Sequence, residues 1–586
     1  MIHRPSVRFS FTVLLLACLA IPAFGATEYK LGPDSQPQPD VPKGTVTKHS
    51  WNSSKIFPGT HRDYWVYVPA QYKPEEPACV IVVQDGGGRV NEKGQWRMPI
   101  VFDNLIHKKE MPVSIGIFVN PGVVPAANEN AQARYNRSFE YDGMGDNYAR
   151  FLLEEIIPAV AKTHKLKSDG NSRMIIGSSS GAIAAFGAAW ERPAEFSRVY
   201  STVGTFVNLR GGHNYPWMIR KFEPKPIRVF LQDGSNDNDL YCGSWWVANQ
   251  DMLSALQFSG YDVKHDWGDG GHNGRHGGAI LPDALRWLWR DYPTPITKPV
   301  AKGDRALDVY LEGEDWELVT DGYKFTEGLA TDGEGNLFFT DIPNNKIHKV
   351  DKDGKVTIFA SNTGGANGLH FGPDKRLYAC QNRRREIVSY DIRGKKRVVV
   401  EKVNSNDLVV MHNGDIYFTD PGNRRVMYVE HKKKDREAKV ADRGIRKPNG
   451  IALSPDQTLL AVSDTEGRFV YSFRIAKSGL LLDKQKYHIL HMPLDADESG
   501  ADGMAMDAQG RLYVTTRWGI QVCDQLGRVH GIIDKPQDAW ISNLTFGGPN
   551  LDILYATSAN AVYKRRLNTR GVLAFEEPIK PPKPRL

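Results

Sequence analysis

The pentapeptide Gly177-Ser178-Ser179-Ser180-Gly181 sets a serine at the centre of a Gly-x-Ser-x-Gly pattern. A serine hydroxyl is a weak nucleophile until a base takes its proton, and the base needs an acid to orient it. Where the serine sits on a turn between a strand and a helix, acid and histidine follow it in that order. Both types occur downstream. Asp237 closes the run Asp233-Gly234-Ser235-Asn236-Asp237, and His272 lies in the Gly-rich segment Gly268-Asp269-Gly270-Gly271-His272-Asn273. Asp233 and Asp239 compete with Asp237 for the acid, and His276 with His272 for the base; Ser179, Asp237 and His272 are the favoured catalytic set. Two backbone N–H groups must also face the charge that develops on the ester oxygen. Ser180 and the Gly86-Gly87 region are the candidates.

Such a set needs a parallel sheet to carry it. Val80-Ile81-Val82-Val83 is a short apolar run that ends in Gln84-Asp85-Gly86-Gly87-Gly88, as a buried strand does. Met174-Ile175-Ile176 reads as a strand leading into the serine turn, and the small residues of Gly181–Ala189 as a closely packed helix. Arg228–Leu231 is a further strand, and Tyr148–Val160 and Leu281–Arg290 have helical periodicity. This alternation predicts an α/β-hydrolase fold, a parallel sheet with helices on both faces.

Gln84-Asp85-Gly86, the serine pentapeptide, Asp237 and Gly-Gly-His272, with Asn136–Tyr141, resemble the enterochelin and feruloyl esterase group over Thr45 to Pro293. The resemblance implies ester hydrolysis and leaves the ester unnamed.

Beyond a second Pro-rich stretch (Pro293, Pro295, Pro299) the texture changes. A polar residue, usually followed by Gly, opens a short apolar strand at Glu327, Asn367, Asn406, Asn449, Asp502 and Asn543, at spacings of 40, 39, 43, 53 and 41 residues. Six β-rich repeats of that length predict a six-bladed propeller whose repeat starts converge on the central channel. Carboxylates and amide carbonyls meeting there are hard oxygen ligands. They suit calcium first, then magnesium or manganese, with zinc the weakest alternative because no His or Cys joins them. A polar plug that hydrogen-bonds the innermost strands is the competing reading.

Thr326-Glu327-Gly328, Asn336–Asp341, Asn406-Asp407, Lys447-Pro448-Asn449-Gly450, Ser454-Pro455-Asp456 and Asp502-Gly503 resemble the gluconolactonase and senescence marker protein family over Leu311 to Arg566. That resemblance implies metal ligation by Glu327, Asn449 and Asp502, metal or substrate binding by Asn406, and proton transfer by Asp502; Asn367, Asn406, Asp407 and Asn543 are the expected substrate contacts. One position departs from it: where gluconolactonases often place Arg before the Asn-Asp pair, Asn404-Ser405 stands here.

Around these domains, residues 1–25 carry a basic start (His3, Arg4, Arg8), an apolar run and Ala23-Phe24-Gly25, the pattern of a secretory signal peptide cut after Gly25. Lipid attachment at Cys18 is the alternative, opposed by the apolar run continuing past it. The expected division is signal 1–25, Pro-rich linker 26–44, hydrolase 45–293, linker 294–310, propeller 311–577 and Pro/Lys-rich tail 578–586, in the periplasm or outside the cell. No later segment predicts a membrane span. Cys79, Cys242, Cys380 and Cys523 lie far apart, which predicts isolated buried thiols rather than a zinc or redox motif. A net charge of +7 over 586 residues, with no basic stripe interleaved with aromatics, gives no footprint for nucleic acid. The expected function is a secreted bifunctional hydrolase, a serine esterase joined to a metal-dependent lactonase, acting on small esters or lactones, among them sugar-derived ones. The alternative is an esterase whose propeller only binds glycans or a partner.

Overall fold

The computed structural model describes residues 27–300, 308–433 and 436–584. The signal-peptide and Cys18 readings lie outside them, as does part of the 294–310 linker. The first domain is one sheet of eight strands: β1 (Thr45–Trp51), β2 (Arg62–Val68), β3 (Cys79–Gln84), β4 (Ser114–Val119), β5 (Arg173–Ser178), β6 (Arg198–Thr202), β7 (Arg228–Gly234) and β8 (Asp262–Gly268). Their spatial order is β1-β2-β4-β3-β5-β6-β7-β8. Strands β3 to β8 pair in parallel, whereas β1 with β2 and β2 with β4 are antiparallel. The sheet is therefore mixed at one edge. Strand β1 is exposed along almost its whole length and β2 is only partly buried, so neither shows the continuous apolar run of a covered parallel strand. Strands β3, β5 and β7 are buried throughout, and their C-terminal ends carry the turns that matter below.

Helix α1 (Gly86–Arg89) follows β3, and α2 (Ser180–Glu191) follows β5. All of α2 but its last residue is buried, which its Ala and Gly side chains permit. Further helices are α3 (Tyr215–Lys221), α4 (Trp245–Phe258) and α5 (Leu281–Trp289). The helical periodicity over 148–160 forms one winding segment whose middle, Phe151–Ile156, is a π-helix. Pro158 lacks the N–H that would bond back to residue 154, so the ladder loosens there.

The second domain has six four-stranded sheets. Five are built from consecutive strands. The sixth takes Ile541–Gly547, Ile553–Ser558 and Ala561–Arg566 and adds Glu317–Thr320, from before the first blade, as its outermost strand. The ring is thus closed by both ends of the domain, which protects the edge strands. The tail is not a free extension: Ile579 N–H bonds Pro455 O, and the Gln525 side chain bonds Pro582 O. Cys79, Cys380 and Cys523 are buried free thiols, whereas Cys242 is partly exposed, because it sits at the tip of a two-stranded ribbon.

The two domains share a core. Trp190, Phe222 and Ile219 of the hydrolase pack in one cluster with Val470, Leu490 and Ile532 of the propeller. Trp217 on α3 stacks on His491 at 4.1 Å, and Phe222 pairs with Ile532 as a short β-bridge. Glu223 and Arg565 form a buried ion pair at 2.6 Å across the junction, with Asp534 N–H also donating to Glu223. Breaking a buried pair strands a charge, at a cost of about 3–5 kcal/mol. Glu223→Ala is expected to lower the thermal midpoint of the full chain and to split a shared unfolding transition into two in calorimetry. An unchanged trace would mean that the junction does not couple the domains.

Candidate active sites

Ser179 stands between β5 and α2 with φ +58° and ψ −128°, a backbone region that non-glycine residues rarely occupy. The turn is tight enough that a Cβ on Gly177 would lie 1.9 Å from Gly181 O, so glycine is required there. This geometry lifts the Ser179 hydroxyl clear of the sheet. Ser179 Oγ lies 2.9 Å from His272 Nε2, and His272 Nδ1 lies 2.6 Å from Asp237 Oδ1. A carboxylate can only accept, so Nδ1 carries the proton and Nε2 is left as the base. The Asp237 side chain is fully buried, whereas His272 is partly open to solvent. Thr205 Oγ1 sits 3.0 Å from Ser179 Oγ and accepts from Trp245 Nε1 at 2.9 Å; the Trp245 ring meets the His272 ring edge-on.

The competing candidates go elsewhere. His276 is buried between Gln232 and Asp266 and stacks on Tyr29. Asp239 is exposed in the short ribbon. Asp233 is buried beside Asp237 without reaching the histidine. Of the amides named for the developing oxyanion, Gly87 N–H already donates to Asn120 Oδ1 at 3.0 Å. A donor that is spent cannot stabilise new charge without losing a bond, so Gly87 is displaced from the set and Ser180 and Gly86 remain. Asp85 is held by a bidentate bond from Arg137, which also reaches Ser178 O and so ties the β3 turn to the serine turn.

In the propeller, Glu327, Asn367, Asn449 and Asn543 lie on the innermost strands of their blades, and Asn406 and Asp502 just before theirs. Asn543 Nδ2 donates to Glu327 Oε2 at 3.0 Å and reaches both oxygens of Asp407 at 3.4 Å. Trp540 Nε1 donates to Asp502 Oδ2 at 3.0 Å. Asn406 behaves differently from the reading as a metal ligand: its Oδ1 accepts from Asn367 Nδ2 at 3.0 Å. The carboxylate that joins Glu327 and Asp502 is its neighbour Asp407. Every other repeat except the last has Gly in that place, and Asp407 comes within 2.3 Å of where a Cβ on Gly368 would stand. Sequence reasoning missed Thr205, Trp245 and Trp540. None belongs to a motif, and only the fold brings each to its site.

Residues 54–269 match the Esterase family, and residues 325–560 match the family described as SMP-30/Gluconolactonase/LRE-like region. The chain joins an esterase domain to a gluconolactonase-like domain. Both families are hydrolases of ester or lactone bonds. A gluconolactonase of Zymomonas mobilis is 28% identical over 307 residues, 46% of this chain and 85% of that protein. The pentonolactonase XacC of Haloferax volcanii is 25% identical over 39% of this chain and 78% of its own length. Among solved structures, the enterochelin esterase of Shigella flexneri aligns with 44% of this chain and 60% of its own at 18% identity and a TM-score of 0.34.

In the gluconolactonase-like domain burial drives the carboxyls of Glu327, Asp407 and Asp502 upward; the charge of Glu327 adds to this at Asp407 and Asp502, and that of Asp407 at Asp502. Among the described residues, no three His, Cys, Asp or Glu side chains stand at distances that would hold a metal ion. The donor set nevertheless fits a hard cation. Asn449 Oδ1 and Asn367 Oδ1 are buried and accept from nothing, an uncommon and costly state. Together with the three carboxylates they supply only oxygen ligands. In the esterase domain, burial alone would raise the Asp237 carboxyl, but bonds from His272, Asp233 and Asn238 hold it below its usual range.

Proposed function

We propose that the chain is an extracytoplasmic bifunctional hydrolase, a serine carboxylesterase joined to a divalent-metal-dependent lactonase. The observation that carries the first half is the line Ser179 Oγ, His272 Nε2, His272 Nδ1, Asp237 Oδ1 at 2.9 and 2.6 Å. In this reading Ser179 Oγ attacks the ester carbonyl while His272 Nε2 takes its proton, and Asp237 stabilises the imidazolium. The Ser180 and Gly86 amides face the oxyanion. His272 then gives its proton to the departing alcohol, and water, deprotonated by the same nitrogen, releases the acid from Ser179.

For the second half, Glu327, Asp407, Asn449 and Asp502 would hold the cation, calcium being the best match to an all-oxygen set. When bound, such a cation supplies Lewis-acid polarisation of a lactone carbonyl. Trp540 engages Asp502 Oδ2, which leaves Oδ1 to take a proton from the attacking water. In this reading Asn367 and Asn543 would meet substrate hydroxyls. The loop that carries Asp502 also carries Leu494 and Asp495. It meets the loop that carries Thr205 and Arg210 across a cleft of about 260 Å³. Carrying both domains on one chain would favour linked substrates, since tethering raises the local concentration of one product at the next site.

A second reading keeps the esterase and makes the propeller a binding module. It is favoured by Asn404-Ser405, where a sugar-gripping Arg would be expected; Ser405 is fully buried and reaches no substrate. Assays of the full chain on p-nitrophenyl acetate and on an aldonolactone, each with and without chelator, separate the readings. Chelator-insensitive ester hydrolysis beside chelator-sensitive lactone hydrolysis is expected. Ester hydrolysis alone would select the binding module, and neither activity would overturn both.

A further inference from the structure

Asp237 has two carboxylate oxygens in a dry environment, and only one is accounted for. Oδ1 receives His272 Nδ1 and Asn238 N–H, both at 2.6 Å. Oδ2 is buried and receives no N–H or hydroxyl donor. An anionic oxygen left bare in a protein interior costs several times what a neutral one does. The group within hydrogen-bonding reach of Asp237 is a second carboxyl, that of Asp233, at the end of β7 and wholly inaccessible to solvent.

Two ionised carboxylates in contact repel, whereas one proton shared between them makes a strong bond. The surroundings decide which acid keeps the proton. Asp237 faces His272 and the Asn238 amide, which favour its anion. Asp233 receives Gly234 N–H on Oδ1 at 2.8 Å, and Asn249 Nδ2 lies 2.9 Å from Oδ2. That amide nitrogen has two protons for three oxygens, because Gly204 O and Trp245 O stand at 2.9 and 3.0 Å. Two carbonyls that can only accept leave Asp233 Oδ2 with at most a shared proton, so Asp233 is much the poorer anion.

We propose that Asp233 is a positioning residue of the esterase, an un-ionised carboxylic acid whose O–H donates to Asp237 Oδ2 and fixes the face that Asp237 presents to His272. This rests on the serine-esterase reading above. Burial, the bond to Asp237 and that residue's charge push the Asp233 carboxyl up to about 9. The groups that face it are Asp237 on its own loop, the neutral Asn249 on α4, the Gly204 carbonyl after β6 and, beyond Asp237, His272 after β8. When Asp233 ionises, a second buried anion appears beside Asp237. The bond becomes a repulsion, and His272 loses its fixed orientation.

The test is the pH dependence of p-nitrophenyl acetate hydrolysis by the full chain, with Asp233→Asn and Asp233→Ala beside it. The wild type is expected to lose kcat/KM as the pH rises through about 9. Asp233→Asn, an amide that donates at every pH, should lose that alkaline limb and keep kcat within about tenfold of wild type, whereas Asp233→Ala should lower kcat about 10²-fold with KM little changed. An Asp233→Asn profile that keeps the limb, or equal kcat losses in the two variants, would overturn the proposal. If the alanine variant does not fold, the asparagine profile alone decides. Ser179→Ala in the same assay keeps the two questions apart: activity surviving that substitution removes the esterase reading itself, whereas its loss beside an unchanged Asp233→Asn profile removes only the role of Asp233.

Discussion

Ser179→Ala is expected to lower kcat for ester hydrolysis by roughly 10⁴–10⁶-fold, with KM for the ester and turnover of an aldonolactone at wild-type levels. The expected loss is this large because the three groups act as a unit: without Oγ, His272 has no proton to take and no covalent intermediate forms. The amides of Ser180 and Gly86 persist, so a residue of catalysis over water should remain. A companion variant separates chemistry from packing. Ser179 holds φ +58°, a strained state for any side chain but open to glycine. Ser179→Gly should therefore be as inactive as Ser179→Ala yet melt higher, by about 1 kcal/mol in stability. Strain kept at a nucleophile is what a site selected for activity rather than stability would show. Equal melting points would mean that the neighbouring glycines relieve the turn. Ester hydrolysis surviving in either variant would mean that another residue is the nucleophile.

The meeting of Ser179, His272 and Asp237 was legible because each belongs to a local pattern that needs no tertiary knowledge. Gly177 and Gly181 are dictated by the closeness of the turn, and Asp237 follows a buried strand and His272 a partly exposed one, in loops that a parallel sheet gathers at one edge. The edge pair β1 and β2 was not legible, since an exposed antiparallel strand lacks the apolar run that marks the centre of the sheet. Gly87 was misread for a different reason. Its glycine character is plain in the sequence, but whether its amide is free depends on Asn120, which lies more than thirty residues away.

In the propeller the repeat exposed the architecture, and its irregularities held information that spacing alone did not release. The long interval of 53 residues between Asn449 and Asp502 contains His491 and Leu494. These residues pack on Trp217 and against Gly211 of the esterase domain, so the extra length of this repeat contributes to the junction. Likewise Asn406 shares the phase of the other polar residues, but the third inner strand starts only at Leu408. Successive residues point to opposite sides of an extended chain, so the carboxylate of Asp407 faces the cluster and Asn406 turns to Asn367. An acid in a place where four of its five counterparts are glycine was the available signal.

Glu327→Gln is the substitution that should act most strongly on the second site. Lactone hydrolysis is expected to fall by at least about 10²-fold, while p-nitrophenyl acetate hydrolysis holds. A measurement that needs no turnover accompanies it. Calcium at 100 times its Kd should stabilise the wild-type chain by about 2.7 kcal/mol, and the variant should lose that gain. The sign reverses without metal. Glu327, Asp407 and Asp502 are buried together and repel when ionised, so removing one charge should make metal-free Glu327→Gln more stable than the metal-free wild type at neutral pH. A cluster that only plugs the channel through hydrogen bonds predicts the opposite, because Asn543 Nδ2 would lose its anionic acceptor at Glu327 Oε2 and the variant would be weaker with or without calcium. A calcium gain that Glu327→Gln abolishes, in a chain that never opens a lactone, would leave the ion structural and the propeller a binding module. Lactone hydrolysis that survives both chelator and Glu327→Gln would place that chemistry outside the carboxylate cluster.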